Sequence, residues 1–375
     1  MKNMIKRGCL ALAGILFLLF LYQFNQIEKS ELLETEGRNF EKAEVVEILT
    51  DNETENGNII GTQQVKVKIL TGAHKGEEVE GNSSASYLFG AHCEVGMKVV
   101  VILSESDNTI IASVYSVNRE PAIYLMIAAF ILITVLIGGK KGLSSIAALI
   151  FTLICVLFLF LPMIYKGISP TFSAVVVVVI TTVATMYLID GLSRKSCAAM
   201  LGTVIGVVAA GGFAWIFGKV TQISGYNVSD IENLVYVEEK TNIQIGELLF
   251  AGILIAALGA VMDVGMSISS TIYEIHVKNT ALTARELFKS GMNVGKDMMG
   301  TMSNTLILAF TGGSLNTLVF IYAYNYQYRQ IINMYSVGIE LMQGISASLG
   351  VILTVPFTSL IAAYLITWKR KDRSK

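Results

Sequence analysis

The sequence predicts an α-helical polytopic membrane protein of about eight transmembrane helices, with a small all-β domain outside the membrane. Of its 375 residues, 53% are hydrophobic and 15% are charged, and the mean hydropathy is +0.60. Soluble domains carry roughly 25% charged residues. The apolar residues fall into runs of about 16 to 22, the length that crosses a bilayer core of roughly 30 Å. This composition excludes an ordinary soluble enzyme, and a net charge of −1 leaves no strongly basic surface for nucleic acid.

The first apolar run follows a charged N-terminus. Lys2, Lys6 and Arg7 precede the stretch from Cys9 to Tyr22, and the polar sequence QFNQIEKS comes directly after it. This order is typical of a secretory signal, but no small residues mark a cleavage site. We therefore interpret residues 1–24 as an uncleaved signal anchor and the first transmembrane helix.

Residues 25–121 carry the signals of a small β domain. Five short segments, among them QVKVKIL and MKVVVIL, are rich in β-branched residues and are separated by turns such as NETENGN. In QVKVKIL, Val65, Val67 and Ile69 alternate with polar residues, which predicts a strand with one buried face. We expect a five-stranded barrel of the OB type. Such barrels bind nucleic acids or sugars through exposed aromatic and basic residues. Between Glu41 and Arg119 only three aromatic residues are available, Tyr87, Phe89 and Tyr115.

Seven further apolar runs form the predicted transmembrane domain, residues 122–375. They cover residues 122–137, 143–161, 171–189, 197–217, 245–268, 302–323 and 345–368. With a cytoplasmic N-terminus, 16 lysines and arginines lie on the cytoplasmic side and four lie in the short outer loops. Cytoplasmic loops carry the excess of Lys and Arg. We expect both termini in the cytoplasm, the protein in the plasma membrane, and residues 25–121 outside.

Two aspartates lie at membrane depth, where a charge costs at least about 2.5 kcal/mol. Asp263 follows the run FAGILIAALGAVM in the cytoplasmic half of its helix. It either pairs with a cytoplasmic cation, caps a helix, or serves as a protonatable or cation-coordinating group in a cavity. Asp190 ends the run MYLID beside Arg194, where an interfacial helix end is the simpler interpretation. Asp190 is therefore the secondary candidate.

Two helices carry small residues at intervals of four, the spacing of a close-packing helix face. One row is Gly202, Gly206 and Ala210, and the other is Gly252, Ala256 and Ala260. We expect both rows to make tight helix contacts.

The stretch from residue 286 to residue 316 is the most unusual. Its glycines interrupt a helical pattern and are candidate breaks or hinges: Gly291, Gly295, Gly300, Gly312 and Gly313. Its polar residues enter the membrane together and are candidate ion-coordinating groups: Thr301, Ser303, Asn304 and Thr305. Irregular helix at membrane depth is tolerated only inside protein or along a cavity. Pro356, in the last run, predicts a kink and is a further hinge candidate.

Long motifs in this chain resemble the YibE/F family of polytopic bacterial membrane proteins. They are GKKGL at 139–143, LGAVMDVGMSISS at 258–270, SGMNVGKDMMGTMSNTLILAF at 290–310, and Pro356. The resemblance implies a signal anchor, an extracytoplasmic domain and a multi-span domain in a bacterial plasma membrane. It implies no mechanism, so Asp263, Gly300 and Asn304 carry over only as motif positions.

Three functions fit these features. The first is permease- or channel-like movement of an ion or small solute, driven by an ion gradient. The second is a non-transporting scaffold or envelope factor whose outer domain binds a partner. The third, an intramembrane aspartyl protease using Asp190 and Asp263, fits least because methionine precedes Asp263 where such enzymes carry glycine.

The expected partners follow from the same features. They are the lipid bilayer, an extracytoplasmic envelope protein, and another copy or a paralogous membrane protein, without nucleic acid. The sequence has no phosphate loop or dinucleotide motif. We expect no cofactor, no metal site and no enzymatic activity.

Overall fold

The computed structural model describes residues 14–27, 29, 32, 38–55, 58–84, 90–106 and 109–367. The charged N-terminus with Cys9, the aromatic residues Tyr87 and Phe89, and the basic C-terminal tail lie outside the described residues. The chain forms two compact units. Residues 31–136 form one, and residues 1–30 with 137–375 form the other.

The first unit contains a closed five-stranded barrel. The strands are β1 Arg38–Thr50, β2 Glu53–Glu55, β3 Asn58–Ile60, β4 Thr62–Ile69, β5 Glu78–Ser84, β6 Lys98–Ser106 and β7 Thr109–Val117. The barrel order is β1-β4-β5-β7-β6, and only the β5–β7 pair is parallel. A small closed barrel with a non-sequential strand order fits the expected OB type. The predicted turn after β1 forms an additional hairpin, β2–β3, so the described residues contain seven strands rather than five.

The barrel interior follows the predicted alternation along β4. Val65, Val67 and Ile69 are at most 1% exposed, because successive side chains of a strand point to opposite faces. Gln63 is also fully buried, and its Nε2 donates to Asp51 Oδ1 at 2.8 Å, while its Oε1 accepts from the Cys93 backbone N–H at 2.6 Å. These bonds satisfy a polar side chain inside an apolar core.

The helices are α1 Gly14–Phe24, α2 Glu120–Cys155, α3 Leu161–Tyr165, α4 Pro170–Asp190, α5 Arg194–Thr221, α6 Ile231–Lys240, α7 Leu248–Lys278, α8 Ala284–Gly313, α9 Leu315–Ala323, α10 Tyr328–Ile332 and α11 Tyr335–Thr367. A π-helical turn, Val156–Phe160, joins α2 to α3. Each of the eight predicted apolar runs is helical over nearly all of its described residues.

Five helical segments are long and apolar enough to cross a membrane, or six if the bent pair α8 and α9 is one span. The longest, Glu120–Tyr165, has 46 residues. Its backbone leaves the helical conformation at Gly139, with φ 53° and ψ −131°. The predicted runs 122–137 and 143–161 lie on either side of that break.

The N-terminal helix belongs to the helical unit. The rings of Phe17 in α1 and Phe151 in α2 are 5.5 Å apart. Beyond the end of α3, the Lys166 Nζ lies 3.7 Å from the centre of the Phe24 ring and donates to the Phe24 carbonyl at 2.9 Å. These contacts hold α1 against the α2–α3 segment.

The row of small residues on α5 packs directly on α11. A Cβ on Gly202 would overlap the Thr358 hydroxyl, and a Cβ on Gly206 would overlap the Thr354 hydroxyl. The two helices are antiparallel, because the contact of Gly206, which comes later in α5, is with Thr354, which comes earlier in α11 than Thr358. Ala210 is fully buried in the same row. The tight contact predicted for this face is confirmed.

Candidate functional site

The corresponding row on α7 does not pack. Gly252 and Ala256 are exposed. Apart from the backbone of α7 itself, no atom of the described residues lies within 4 Å of the position a Cβ would take on Gly252 or on the neighbouring Gly259. The prediction of a tight contact is therefore wrong for this face. Helix α7 packs instead through an adjacent face, on which Ala257 and Val261 are fully buried.

The open face of α7 lines a cavity of about 500 Å³ between α2, α4 and α7. Each helix contributes one wall. The lining residues are Ser145, Ala148, Leu149 and Thr152 of α2 with Val156 of the π-helical turn, Val177, Val178, Thr185 and Ile189 of α4, and Ile255, Ala256, Leu258, Gly259, Met262 and Asp263 of α7. Because Ala256 and Gly259 have little or no side chain, the space beside α7 stays open.

Asp263 is the one charged residue in the described lining of this cavity. It lies about 22 Å along α7 from Leu248, at about 1.5 Å per residue. Its side chain is exposed, and it has no hydrogen bond or ion pair among the described residues. An unpaired carboxylate within an apolar helix is costly, and such groups mark ion and solute pathways.

Asp190 has a different environment. Its Oδ2 lies 2.5 Å from the Lys195 Nζ. The expected neighbour, Arg194, instead donates to the carbonyl oxygen of Leu365 at 3.1 Å. The ion pair at the end of α4 therefore uses Lys195, and Asp190 does not line the Asp263 cavity in its described part.

Three residues with hydroxyl groups line the cavity together with Asp263. Thr185 on α4 is 7% exposed, and its Oγ1 is buried without a hydrogen-bond partner among the described residues. On α2, Ser145 donates to the Lys141 carbonyl and Thr152 donates to the Ala148 carbonyl, both at 3.0 Å. A hydroxyl that donates to a carbonyl keeps its acceptor lone pairs. The described wall therefore presents oxygen acceptors together with one carboxylate.

Thr185 and Asp263 lie at about the same level in the bundle. Lys195 provides the reference: its side chain pairs with Asp190 on α4, and its carbonyl oxygen accepts from Ser269 Oγ on α7 at 2.6 Å. Thr185 precedes Asp190 by about 7.5 Å along α4, and Asp263 precedes Ser269 by about 9 Å along α7. Both residues belong to the lining of the same cavity.

Helix α8 is continuous through Gly291, Gly295 and Gly300, so the predicted interruptions at these three positions are wrong. Gly291 and Gly295 are buried. A Cβ on Gly291 would lie 2.7 Å from the Ser359 hydroxyl, and one on Gly295 would overlap Val355. These two glycines let α8 approach α11 closely. Gly300 has no such neighbour within 4 Å.

The bend of this segment lies further along the chain. Helices α8 and α9 meet at an angle of 64° across Ser314, directly after Gly312 and Gly313. Pro356 lies inside α11, which continues through it. Since proline has no N–H, the carbonyl of Ile352 loses its usual helical partner. Gly312, Gly313 and Pro356 stay hinge candidates.

The polar residues of α8 lie apart from Asp263. Thr301, Asn304 and Thr305 are exposed, and Thr305 Oγ1 donates to the Thr301 carbonyl at 2.9 Å. Ser303 Oγ is buried without a partner. None of these four residues belongs to the described lining of the Asp263 cavity. They stay candidates on a separate surface.

The sequence-based reasoning missed the hydroxyl-bearing residues that line the cavity with Asp263. Thr181 and Thr185 lie four residues apart in the run ITTVATMYLID, which places them on one helix face. That spacing was a usable signal for Thr185. Ser145 and Thr152 had no comparable signal, because their role depends on which helix lies opposite them.

Long apolar helices joined to a small closed barrel define a helical membrane protein with a β-barrel domain. Models of the YibE/F-like protein and of the YibE/F family N-terminal domain match residues 126–368 and 39–117. The chain therefore belongs to the YibE/F family, as its motifs indicated. No curated protein and no solved structure matches it.

Proposed function

We propose that the protein is a multi-pass permease- or channel-like protein that moves an ion or small solute through the cavity beside Asp263. The observation that carries this proposal is the unpaired Asp263 carboxylate on the open face of α7. A packing role alone does not account for an acidic residue beside Ala256 and Gly259. Intramembrane ionisable groups that face a cavity are typical of solute pathways.

The proposed setting is the plasma membrane, with both termini in the cytoplasm and residues 25–121 outside. The distribution of Lys and Arg supports this orientation. The ends of α4 and α7 that carry Asp190 and Lys278 would then face the cytoplasm. The Asp263 cavity would lie in the cytoplasmic half of the membrane.

The direct test is flux in proteoliposomes that contain the full chain. Gradients of Na⁺, K⁺, H⁺, chloride and amino acids are imposed, and uptake or current is compared between the wild type and Asp263→Asn. The substitution keeps the side-chain volume and removes the charge. We expect the wild type to move at least one of these species and the variant to lose most of that movement.

The matched control is Glu274→Gln. Glu274 lies on the same helix, is exposed, and does not line the cavity in its described part. This variant should retain wild-type flux. Absence of flux from folded, correctly oriented wild-type protein, or equal loss in both variants, would contradict the permease proposal.

A second candidate function is a non-transporting scaffold whose barrel binds an envelope partner. The observation that favours it is an exposed aromatic pair on the barrel. Phe40 is 58% exposed and Tyr115 is 40% exposed, and their rings meet edge to face at 5.3 Å. Interfaces are enriched in exposed aromatic residues of this kind. In this case, Phe40→Ala with Tyr115→Ala should abolish function in cells, and Asp263→Asn should be harmless.

We propose no enzymatic activity. An intramembrane aspartyl protease needs two carboxylates that share a proton. The Asp190 carboxylate is instead engaged by Lys195 at 2.5 Å. Proteolysis of membrane peptides that disappears in both Asp190→Asn and Asp263→Asn would overturn this view.

A further inference from the structure

We infer that two copies of this chain associate in the membrane through the outward face of α8, with the Asn304 amides of the two copies hydrogen-bonded to each other. The outward face is the row Gly300, Asn304, Leu308 and Gly312, at intervals of four along α8. All four residues are exposed. Association of two copies does not depend on whether a solute moves through either of them.

The first argument is the depth of Asn304. Helices α8 and α11 are antiparallel, because a Cβ on Gly295 would overlap Val355 while one on Gly344 would lie 3.8 Å from Ile307. The level of Gly344 is about 10.5 Å from the midpoint of the 33-residue α11, and Asn304 precedes Ile307 by about 4.5 Å. Asn304 is therefore about 6 Å from that midpoint along the axis. The hydrocarbon core reaches about 15 Å to either side of its centre, so Asn304 lies inside it.

The second argument is that the amide has no partner within its own chain. The Asn304 side chain is exposed and makes no hydrogen bond to any described residue. The neighbouring hydroxyls differ, because Thr301 Oγ1 donates to the Asp297 carbonyl at 3.4 Å and Thr305 Oγ1 donates to the Thr301 carbonyl at 2.9 Å. An amide has two N–H donors and an acceptor oxygen. Lipid acyl chains offer no partner for them, and asparagines in membrane helices hydrogen-bond across helices.

The third argument identifies the partner as a second copy. The excess of Lys and Arg on one side orients every copy in the same way. A two-fold pair of such copies has its axis along the membrane normal, and the same surface of each copy forms the interface. A residue beside the axis then meets its own counterpart at the same depth. Because an amide both donates and accepts, two Asn304 side chains satisfy each other, whereas two like charges would repel.

The fourth argument is the shape of the outward face. Apart from the backbone of α8 itself, no atom of the described residues lies within 4 Å of the position a Cβ would take on Gly300 or Gly312. Gly300 lies one turn before Asn304, and small residues at this interval let two helices approach closely. Close approach is required here, because the asparagine side chain is short. None of the four residues belongs to the described lining of the Asp263 cavity, so this face is free for another helix.

The experiment counts copies of the purified full chain in vesicles of phosphatidylethanolamine and phosphatidylglycerol. Each chain carries one fluorophore, and bleaching steps are counted at decreasing ratios of protein to lipid. We expect the fraction of two-step vesicles to exceed random co-occupancy and to saturate as the protein density rises. Asn304→Leu should weaken the apparent association by about fivefold or more, and Asn304→Gln, which keeps an amide, should retain more of it.

Thr305→Val is the matched control. It has nearly the same volume as the wild type, and it removes a neighbouring exposed hydroxyl that already has a partner inside α8. It should associate like the wild type, and a monodisperse peak in detergent confirms that each variant is folded. A wild type that stays monomeric at every density, unchanged association in Asn304→Leu, or equal weakening in Thr305→Val would each overturn the inference.

Oxidative cross-linking tests the position of the interface separately. In a background without the native cysteines, Leu308→Cys is compared with Val208→Cys on α5; the two native side chains are 60% and 46% exposed. A disulfide needs Cα atoms within about 7 Å. We expect cross-linked pairs from Leu308→Cys and few from Val208→Cys. Equal cross-linking of both variants would indicate random encounter and would contradict pairing through α8.

Discussion

Helices α5 and α7 carry the same pattern of small residues but use it in opposite ways. On α5, the glycines at 202 and 206 receive the hydroxyls of Thr358 and Thr354, and no space is left. On α7, Gly252 and Gly259 have no neighbour within 4 Å, and the row ends at an unpaired carboxylate. A row of small residues thus allows another helix to approach closely, but it does not by itself cause a helix to pack there.

The difference lies in what stands opposite each row. Helix α11 offers its own row of small and hydroxyl residues at the same interval of four, so two backbones meet closely. The open face of α7 borders instead a cavity that is also lined by Thr152 of α2 and by Val156 of the π-helical turn that follows α2. The first arrangement serves stability. The second leaves room for a ligand.

The largest expected effect is on the packed face. In Gly206→Leu, the new Cβ would overlap the Thr354 hydroxyl and lie 3.0 Å from the Gly350 carbonyl oxygen, a backbone atom that cannot rotate away. We expect a loss of at least about 3 kcal/mol, the upper end of ordinary overpacking. The measurement is the temperature at which detergent-solubilised protein loses its monodisperse peak. Gly252→Leu is the control, and equal losses in both variants would erase the contrast between the two faces.

The next effect separates function from stability. In Gly259→Leu, the side chain should enter the cavity beside Asp263, because nothing occupies that direction within 4 Å. We expect the proteoliposome flux to be lost, while the unfolding free energy changes by less than about 0.5 kcal/mol. Full flux in a folded Gly259→Leu protein would show that the solute does not pass here.

A labelling experiment compares the two rows directly. In a background without the native cysteines, Ala256→Cys and Ala210→Cys are exposed to a charged methanethiosulfonate reagent. Ala256 is exposed and lines the cavity, whereas Ala210 is fully buried. Thiol reactivity depends on access and on the thiolate form, so we expect Ala256→Cys to react about tenfold faster or more. Similar rates would mean that water does not reach the cavity.

The smallest effect on stability is expected when Gly252, the first residue of the unpacked row on α7, is replaced by alanine. Gly252→Ala introduces a methyl group into free space and removes a flexible residue from a helix. We expect a gain of up to about 1 kcal/mol, the difference in helix propensity between the two residues. Gly202→Ala should instead lose stability, because its Cβ would overlap Thr358. Thermal midpoints of the two variants measure the difference, and a stabilised Gly202→Ala would contradict the packing described for α5.

Local patterns predicted the parts of the structure that depend on one segment at a time. The alternation of Val65, Val67 and Ile69 predicted a strand with one buried face, and these residues are in the barrel core. The apolar runs predicted helices, and the motifs predicted the family. Each of these predictions depends only on the spacing of residues within one segment, and that spacing can be read directly from the sequence.

Predictions that depended on a partner element were less successful. Gly291 and Gly295 suggested a broken helix, yet α8 continues through them because α11 packs closely there. Asp190 was interpreted as an interfacial helix end beside Arg194, and the ion pair that it forms is with Lys195, one residue further along α5. Neighbouring residues of a helix point in directions about 100° apart, so a shift of one residue changes the contact.

The sequence by itself determined that this chain is a helical membrane protein of the YibE/F family with a small β barrel, and it singled out Asp263. Those conclusions need only composition, periodicity and motif. The tertiary structure decided which row of small residues packs and which stays open, and it brought α2 and α4 beside the open face of α7 to enclose a cavity that Asp263 lines. The physical reason is that spacing defines the face of a helix, while the neighbouring helix decides whether that face is filled.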